Sequence, residues 1–355
     1  MTRGILRLAL YLFIGLVLCA FPFVVNDFLL TVMIWALWYI YFGAFVNLQI
    51  GYSGQLSLAF PVYLASGAYT AAYLNIHFGI SPWLGMIAGG LIAAFIASLV
   101  CWICSRYTLP HLSFVIATLA FLYIVEAIVK ELPRSFLGGY DGLCIVSRGN
   151  DLLQFQFETK QPYYFVILLM TVGGLFLIRY ILNSKAGIYF KAIRDNELAA
   201  AASGVDILRY KLLVNALVAF LLSFAGAFYV QLTLFVDPGS MLTAVLIIEI
   251  IAYISIGGLG TFWGPVVGCL LFVPISELLR SKLALVLPGI HLALLGVIII
   301  LVIELAPRGI VGWFEHRRAQ RRAAMAELIY EEAAPANASP PPLWRTYIRR
   351  LFTNR

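Results

Sequence analysis

The chain is dominated by long apolar runs, each close to membrane thickness and each closed by a short polar or glycine-containing stretch. An α-helix rises about 1.5 Å per residue, so about 20 apolar residues cross the roughly 30 Å hydrocarbon layer of a bilayer. Ten runs meet that length, at residues 5–25, 28–48, 57–75, 83–105, 111–130, 163–182, 208–234, 242–258, 265–282 and 290–306. All ten are predicted to be membrane-spanning helices. The third and ninth contain Pro61, Gly264 and Pro265 and are the candidates for broken or re-entrant segments. The first follows Arg3 as a signal peptide would, but no small-x-small cleavage site precedes Asn26, so a retained span is expected.

One polar interruption differs from the others. It runs from Lys185 to Lys211 and contains Ala199 to Ala202, the best helix-forming residue type, followed by Gly204, which can adopt the left-handed conformation that ends a helix. The pattern predicts a short helix with a flat, small-residue face on which another protein can seat closely. A membrane protein with such a helix on one face is expected to receive force or information there.

Composition decides the class. Mean hydropathy is +0.94, with 62% hydrophobic and 12% charged residues, whereas soluble domains are roughly 25% charged. Such a chain lacks the polar surface to cover itself in water, so an all-α, polytopic membrane protein is expected. The net charge of +7 does not indicate nucleic-acid binding, because nine arginines lie from Arg308 onward and fit the positive-inside rule. With a cytoplasmic N-terminus, ten crossings place Arg106, the loop 183–207 and the C-terminal tail in the cytoplasm. The far side then holds Asn26–Asp27, Asn75–Ser81, the long loop 131–162, Val236–Ser240 and the turn 283–289. The chain therefore divides into a membrane domain, 1–314, and a basic tail, 315–355, with a flexible Pro-rich linker at 333–342. The last basic and aromatic stretch, Leu343–Phe352, reads either as a helix lying on anionic lipid or as a solvated tail.

Candidate chemistry is sparse. Two glycine-rich interruptions stand out, one with Gly51, Ser53, Gly54, Gln55 and Ser57, the other with Gly257, Gly258 and Gly260. Inside a membrane such breaks are tolerated when buried or when lining a cavity. They therefore read as tight packing with cytoplasmic turns, or as part of a translocation path. Glu249 lies mid-span, where a carboxylate must face the protein interior, a partner subunit or a wet cavity, or be protonated. Glu126, Glu277 and Glu304 lie near span ends. There is no HExxH, no Ser/His/Asp order, no paired carboxylates and no phosphate-binding loop, so no catalytic residue, metal site or cofactor is assigned. Cys101 and Cys104 share a suggestive spacing but sit in an apolar run and read as buried thiols. An ion-coupled secondary transporter would need ionisable residues in several spans, and Glu249 is nearly alone.

Several stretches, in order, resemble the permease subunits of branched-chain amino acid ABC importers, most of all the longer, M-type member. They are Gly51–Leu58 with Gly67–Ala72, Ala117–Phe121, Leu137–Leu143, Ala192–Ala200, Gly257–Thr261 with Gly264–Pro265, and Ala306–Ile310. The likeness extends from about Asn47 to Trp313. It implies the ABC importer permease fold, with about ten spans and a cytoplasmic coupling helix. Arg194, Asp195, Glu197, Ala199, Ala200 and Gly204 would then couple the chain to an ATPase, with Glu197, Ala199, Ala200 and Gly204 on the family's EAA-and-glycine signature. The resemblance also implies two ABC ATPase subunits, a second permease, a periplasmic substrate-binding protein and a place in the bacterial cytoplasmic membrane with both termini inside. Gly138, Gly139 and Asp141 are candidates for the receptor dock. After Ser57-Leu58 the family commonly has a Gly-His-Ala-Ala-Phe-like continuation, where this chain reads Ala59-Phe-Pro-Val-Tyr-Leu64. Related systems carry urea, short amides or aromatic and organic acids, so the cargo class stays open at this point.

Overall fold

The computed structural model describes residues 18–106, 111–146 and 149–283, with scattered positions from 293 to 317. The first and tenth predicted spans and the basic tail lie largely outside the described residues. Long helices make up the rest: α1 (Asp27–Asn47), α2 (Phe60–Phe78), α3 (Pro82–Arg106) and α4 (His111–Glu131). A short α5 (Arg134–Leu137) follows, then α6 (Lys160–Asn183), α7 (Lys185–Asp195), α8 (Glu197–Ala202) and α9 (Ile207–Thr233). A one-turn α10 (Pro238–Met241), α11 (Ala244–Gly257) and α12 (Gly264–Leu283) complete the set. Among the described residues, seven segments are long and apolar enough to cross a membrane. The molecule is a multi-pass helical bundle. Its only described sheet is a two-residue antiparallel pair, β1 (Leu143–Cys144) with β2 (Phe235–Val236).

The two weakest predicted spans are continuous helices. Pro61 occupies the first turn of α2, where its missing N–H would have no helical partner anyway, and Pro265 follows the first residue of α12. Both prolines therefore start helices rather than break them. α2 begins three residues later than the apolar run because Gly54–Ser57 is non-helical. It falls outside the seven membrane-length segments, yet it is among the most buried helices of the bundle. Its lipid-poor position explains why it can be less apolar.

Small residues set the packing. α2, α3 and α9 form one tight group, in which a Cβ on Gly85 would come within 2.8 Å of the Ala71 backbone and one on Gly89 within 2.9 Å of Gly67. Where helix backbones approach this closely, dispersion contacts and weak polar contacts replace the hydrophobic drive that lipid cannot supply. α1 is the second centre, packed against α6 and α12. Its large side chains donate to neighbouring backbones: Trp38 Nε1 to the Ala225 carbonyl at 2.9 Å and the Tyr41 hydroxyl to that of Leu221 at 3.0 Å. α4 is peripheral, with much of its surface facing outward.

The loops sort to two ends. At one end Leu143 pairs with Val236, Asn75 Nδ2 donates to Gln154 Oε1 at 2.6 Å and Trp83 Nε1 to the Leu152 carbonyl at 2.9 Å. Apart from Trp83, which lies at the start of α3, these residues belong to segments that ten crossings group on the far side. The Lys185–Lys211 stretch and both glycine breaks gather at the opposite end.

Candidate functional site

The polar stretch forms two helices rather than one. Asn196 takes an extended conformation (φ −161°, ψ 107°) that ends α7, and its side chain then caps α8 by accepting the Ala199 N–H at 3.0 Å. α8 closes in a Schellman arrangement: Gly204 has φ +83°, its N–H bonds the Ala201 carbonyl at 2.9 Å and Val205 N–H bonds that of Ala200 at 3.1 Å. The left-handed turn expected of Gly204 is thus where α8 stops. Ala200 faces the bundle and is buried, whereas Leu198, Ala199, Ala201, Ala202, Ser203 and Gly204 are exposed, Leu198 at 83%. The result is a small-residue platform with one large apolar side chain standing out of it.

The stretch is fastened beneath. Glu197 Oε1 pairs with Lys211 Nζ on α9 at 2.7 Å. Arg194 donates from Nε and Nη2 to Asp195 Oδ1 at 3.0 and 2.9 Å and from Nη1 to the Gly51 carbonyl at 2.8 Å. Gly51 lies in a π-helical turn, Leu48–Tyr52, that continues α1. There the last carbonyls of a helix lose their intrahelical partners, and a cation is favoured by the helix dipole.

The two glycine breaks, far apart in sequence, meet at this point. Asn47 Nδ2 donates to the Thr261 carbonyl at 2.9 Å and Asn47 Oδ1 accepts the Gly260 N–H at 2.8 Å. A Cβ on Gly51 would fall 2.5 Å from Gly260 N, so only glycine permits the approach. Gly258 packs beside Thr261, with the backbones of Gly309 and Gly312 close by, while Gly257 packs against the Gly264 backbone and lets α11 turn closely into α12. Beside the first break is a row of buried amides. Gln49 Nε2 donates to Asn215 Oδ1 at 2.6 Å, and Asn215 Nδ2 donates to Gln55 Oε1 and to the Lys211 carbonyl, the latter at 2.8 Å. Ser53 Oγ donates to the Gln49 carbonyl at 2.6 Å, and Ser57 Oγ accepts the Ala59 N–H. Cys101 lies next to Asn215 and, like Cys104, is a buried free thiol.

Sequence reasoning named Gly51, Ser53, Gly54, Gln55, Ser57, Gly258, Gly260 and Arg194, and the structure brings all of them to one end of the bundle. It missed Asn47, Gln49, Asn215 and Lys211. The first three are amides inside or at the margin of apolar runs, and that polarity was the available signal. Lys211 joins Glu197 across 14 positions, a spacing with no helical periodicity to reveal it.

Glu249 lies elsewhere, about two turns along α11 from Gly257. Its Oε2 accepts the Tyr39 hydroxyl at 2.8 Å, so it faces α1 inside the bundle. Removing that donor with Tyr39→Phe is expected to destabilise the protein by about 1–3 kcal/mol, seen as a lower melting temperature in detergent. An unchanged melting temperature would show that the bond contributes nothing.

Gly138, Gly139 and Asp141 lie at the opposite end. Gly138 and Gly139 are buried, and Asp141 pairs with Arg134 at 2.8 Å on the surface beside the exposed Tyr140. The glycines shape this loop, and Asp141 and Tyr140 form its outer face.

Comparisons with known proteins bear on this arrangement. The profile of the family described as "Branched-chain amino acid transport system / permease component" matches residues 28–303. The chain is 28% identical over 313 residues to the high-affinity branched-chain amino acid transport system permease protein LivM of Escherichia coli (strain K12), covering 82% of this chain and 72% of that protein. It is 27% identical, with the same coverage, to the protein of the same name from Salmonella typhimurium. No solved structure matches significantly. With the profile spanning both breaks and the α7–α8 stretch, the chain belongs to the branched-chain amino acid transport permease family and is a non-catalytic permease subunit.

Proposed function

We propose that this chain is one transmembrane half of an ATP-driven importer for branched-chain amino acids in a bacterial cytoplasmic membrane, with both termini in the cytoplasm. The α7–α8 stretch is its coupling element, seated on one of two cytoplasmic ATPase subunits. A second permease completes the path, and a periplasmic binding protein delivers substrate to the end that bears Tyr140 and Asp141. Closure of the ATPase pair would draw the coupling elements together and tilt the bundle between inward- and outward-open states.

The observation that carries this reading is the exposed α8 platform. It sets an 83%-exposed leucine on a small-residue surface outside the apolar spans, which a partner protein can approach closely and use as an apolar anchor. The helix is also rigid enough to transmit force. It is capped at both ends, and Glu197–Lys211 and Arg194–Gly51 tie it to the bundle.

The test is reconstitution of the complex that co-purifies with this chain into liposomes. Uptake of radiolabelled L-leucine should require both internal ATP and external binding protein. Uptake driven by an ion gradient without ATP would overturn the ATP-driven mechanism, and uptake of urea or benzoate in preference to leucine, isoleucine and valine would overturn the cargo.

A further inference from the structure

We infer that Arg194 and Lys211 are positioning residues that carry displacement of α7–α8 to the first glycine break, so that residues 49–55 move with the coupling element. The inference rests on the docking role proposed for that element and adds where its motion goes inside the chain.

Two independent anchors end on the same short segment. The first is Arg194. Asp195 holds two of its nitrogens and leaves Nη1 directed at the Gly51 carbonyl. The stem is held as well: a Cβ on Gly54, which has φ +72°, would meet Arg194 Cγ at 2.9 Å and its Cα at 3.1 Å. The backbone of the break therefore lies flat along the arginine. The second break is joined to this grip, since Gly260 bonds Asn47 and a Cβ there would sit 3.4 Å from Arg194 Nη1.

The second anchor runs through Lys211. Its ammonium holds Glu197 at the first position of α8, and its carbonyl receives Asn215 Nδ2. Asn215 in turn bonds both Gln49 and Gln55, which flank Gly51 on either side. All three amides are buried, with Gln49 at 0%, Asn215 at 1% and Gln55 at 4% exposure. Pulling the break away from them would leave buried donors and acceptors unpaired, whereas moving it together with α8 and the start of α9, which carries Lys211 and Asn215, keeps these bonds. Polar bonds of both anchors join the coupling element to the break, so transfer of its motion through them is the low-energy response.

The family resemblance grouped Arg194 with the residues that contact the ATPase. The side chain is 36% exposed, but Nη1 is engaged by the Gly51 carbonyl and Nε and Nη2 by Asp195, which separates docking on Leu198 and the alanines from transmission by Arg194 and Lys211.

The experiment uses the whole reconstituted complex and reads leucine taken up per ATP hydrolysed, together with ATPase retained on the permease. For Arg194→Ala the ratio is expected to fall about tenfold, the weight of one lost charge-assisted hydrogen bond, while the ATPase stays bound. Lys211→Met should act in the same direction, and Arg194→Lys, which keeps a charged donor within reach of Gly51, should recover part of the ratio. If Arg194→Ala does not insert into the membrane, Arg194→Gln takes its place and is expected to lower the ratio by about threefold. A wild-type ratio in the assembled Arg194 variant would overturn the inference. Loss of the ATPase from an inserted Arg194 variant would also overturn it, by making Arg194 a docking residue. A wild-type complex that fails to couple hydrolysis to uptake would instead refute the proposed function itself.

Discussion

Gly67→Leu is expected to remove most of the folded protein from the membrane. At Gly67 three helix backbones converge. A Cβ there would overlap the carbonyl of Ser223 on α9, and from the other side Gly89 of α3 approaches so closely that its own Cβ would be 2.9 Å from Gly67 Cα. Overpacking a core where side chains can still shift costs typically about 1–3 kcal/mol. Here the obstacle is main chain on both sides, so α2 must separate from α3 or α9. Those are the tightest helix contacts in the bundle, and a loss above about 3 kcal/mol is expected. Gly226→Leu should behave alike, because its Cβ would meet the Leu64 carbonyl of α2. The control is Gly173→Leu on the outer face of α6, where nothing lies within 4 Å of the added carbon. Membrane-fraction yield and melting temperature in detergent read the effect. Equal values for the Gly67 and Gly173 variants would contradict the packing account.

Gly67 also marks how far the sequence could be read. The long helices were legible because uniform apolar runs end at polar residues: 83–105 became Pro82–Arg106, 163–182 became Lys160–Asn183 and 208–234 became Ile207–Thr233. α2 was harder, since its glycines, hydroxyls and Asn75 dilute the apolar signal. A helix surrounded by other helices needs no lipid-facing side chains, so hydropathy understates it. In the polar stretch, Gly204 and the alanines announced a helix end. The interruption at Asn196 was invisible, because an asparagine can cap a helix or sit within one until its backbone conformation is known. The meeting of the two glycine breaks was also hidden. Each break was legible alone, but the hydrogen bonds between Asn47 and residues 260–261 span more than 200 positions and follow only from how α1, α11 and α12 pack.

The second large effect concerns the exposed α8 platform. Leu198→Glu should leave the fold untouched, because the side chain is in solvent, yet it should detach the ATPase. A buried apolar anchor at a protein interface is worth about 2 kcal/mol or more, which corresponds to roughly thirtyfold weaker association, and a buried carboxylate adds its desolvation penalty. Gly204 provides a graded comparison. Nothing lies within 4 Å of a Cβ at this position, so Gly204→Ala meets only the strain of φ +83°, about 1 kcal/mol. Gly204→Arg adds a long cation to the docking face and should interrupt uptake far more than the alanine variant does. Similar uptake in the two variants would show that the surface at Gly204 is not covered by a partner.

Cross-linking at Leu198 measures the central claim most directly. In native membranes, Leu198→Cys treated with a short thiol-to-amine reagent should join this chain to a cytoplasmic ATPase subunit. The yield should change when ATP is trapped with vanadate, while the same reagent at Gly173→Cys on the outer face of α6 gives no such product. Efficient labelling of Leu198→Cys by a soluble maleimide in the intact complex, with no cross-link to an ATPase in any nucleotide state, would contradict the account.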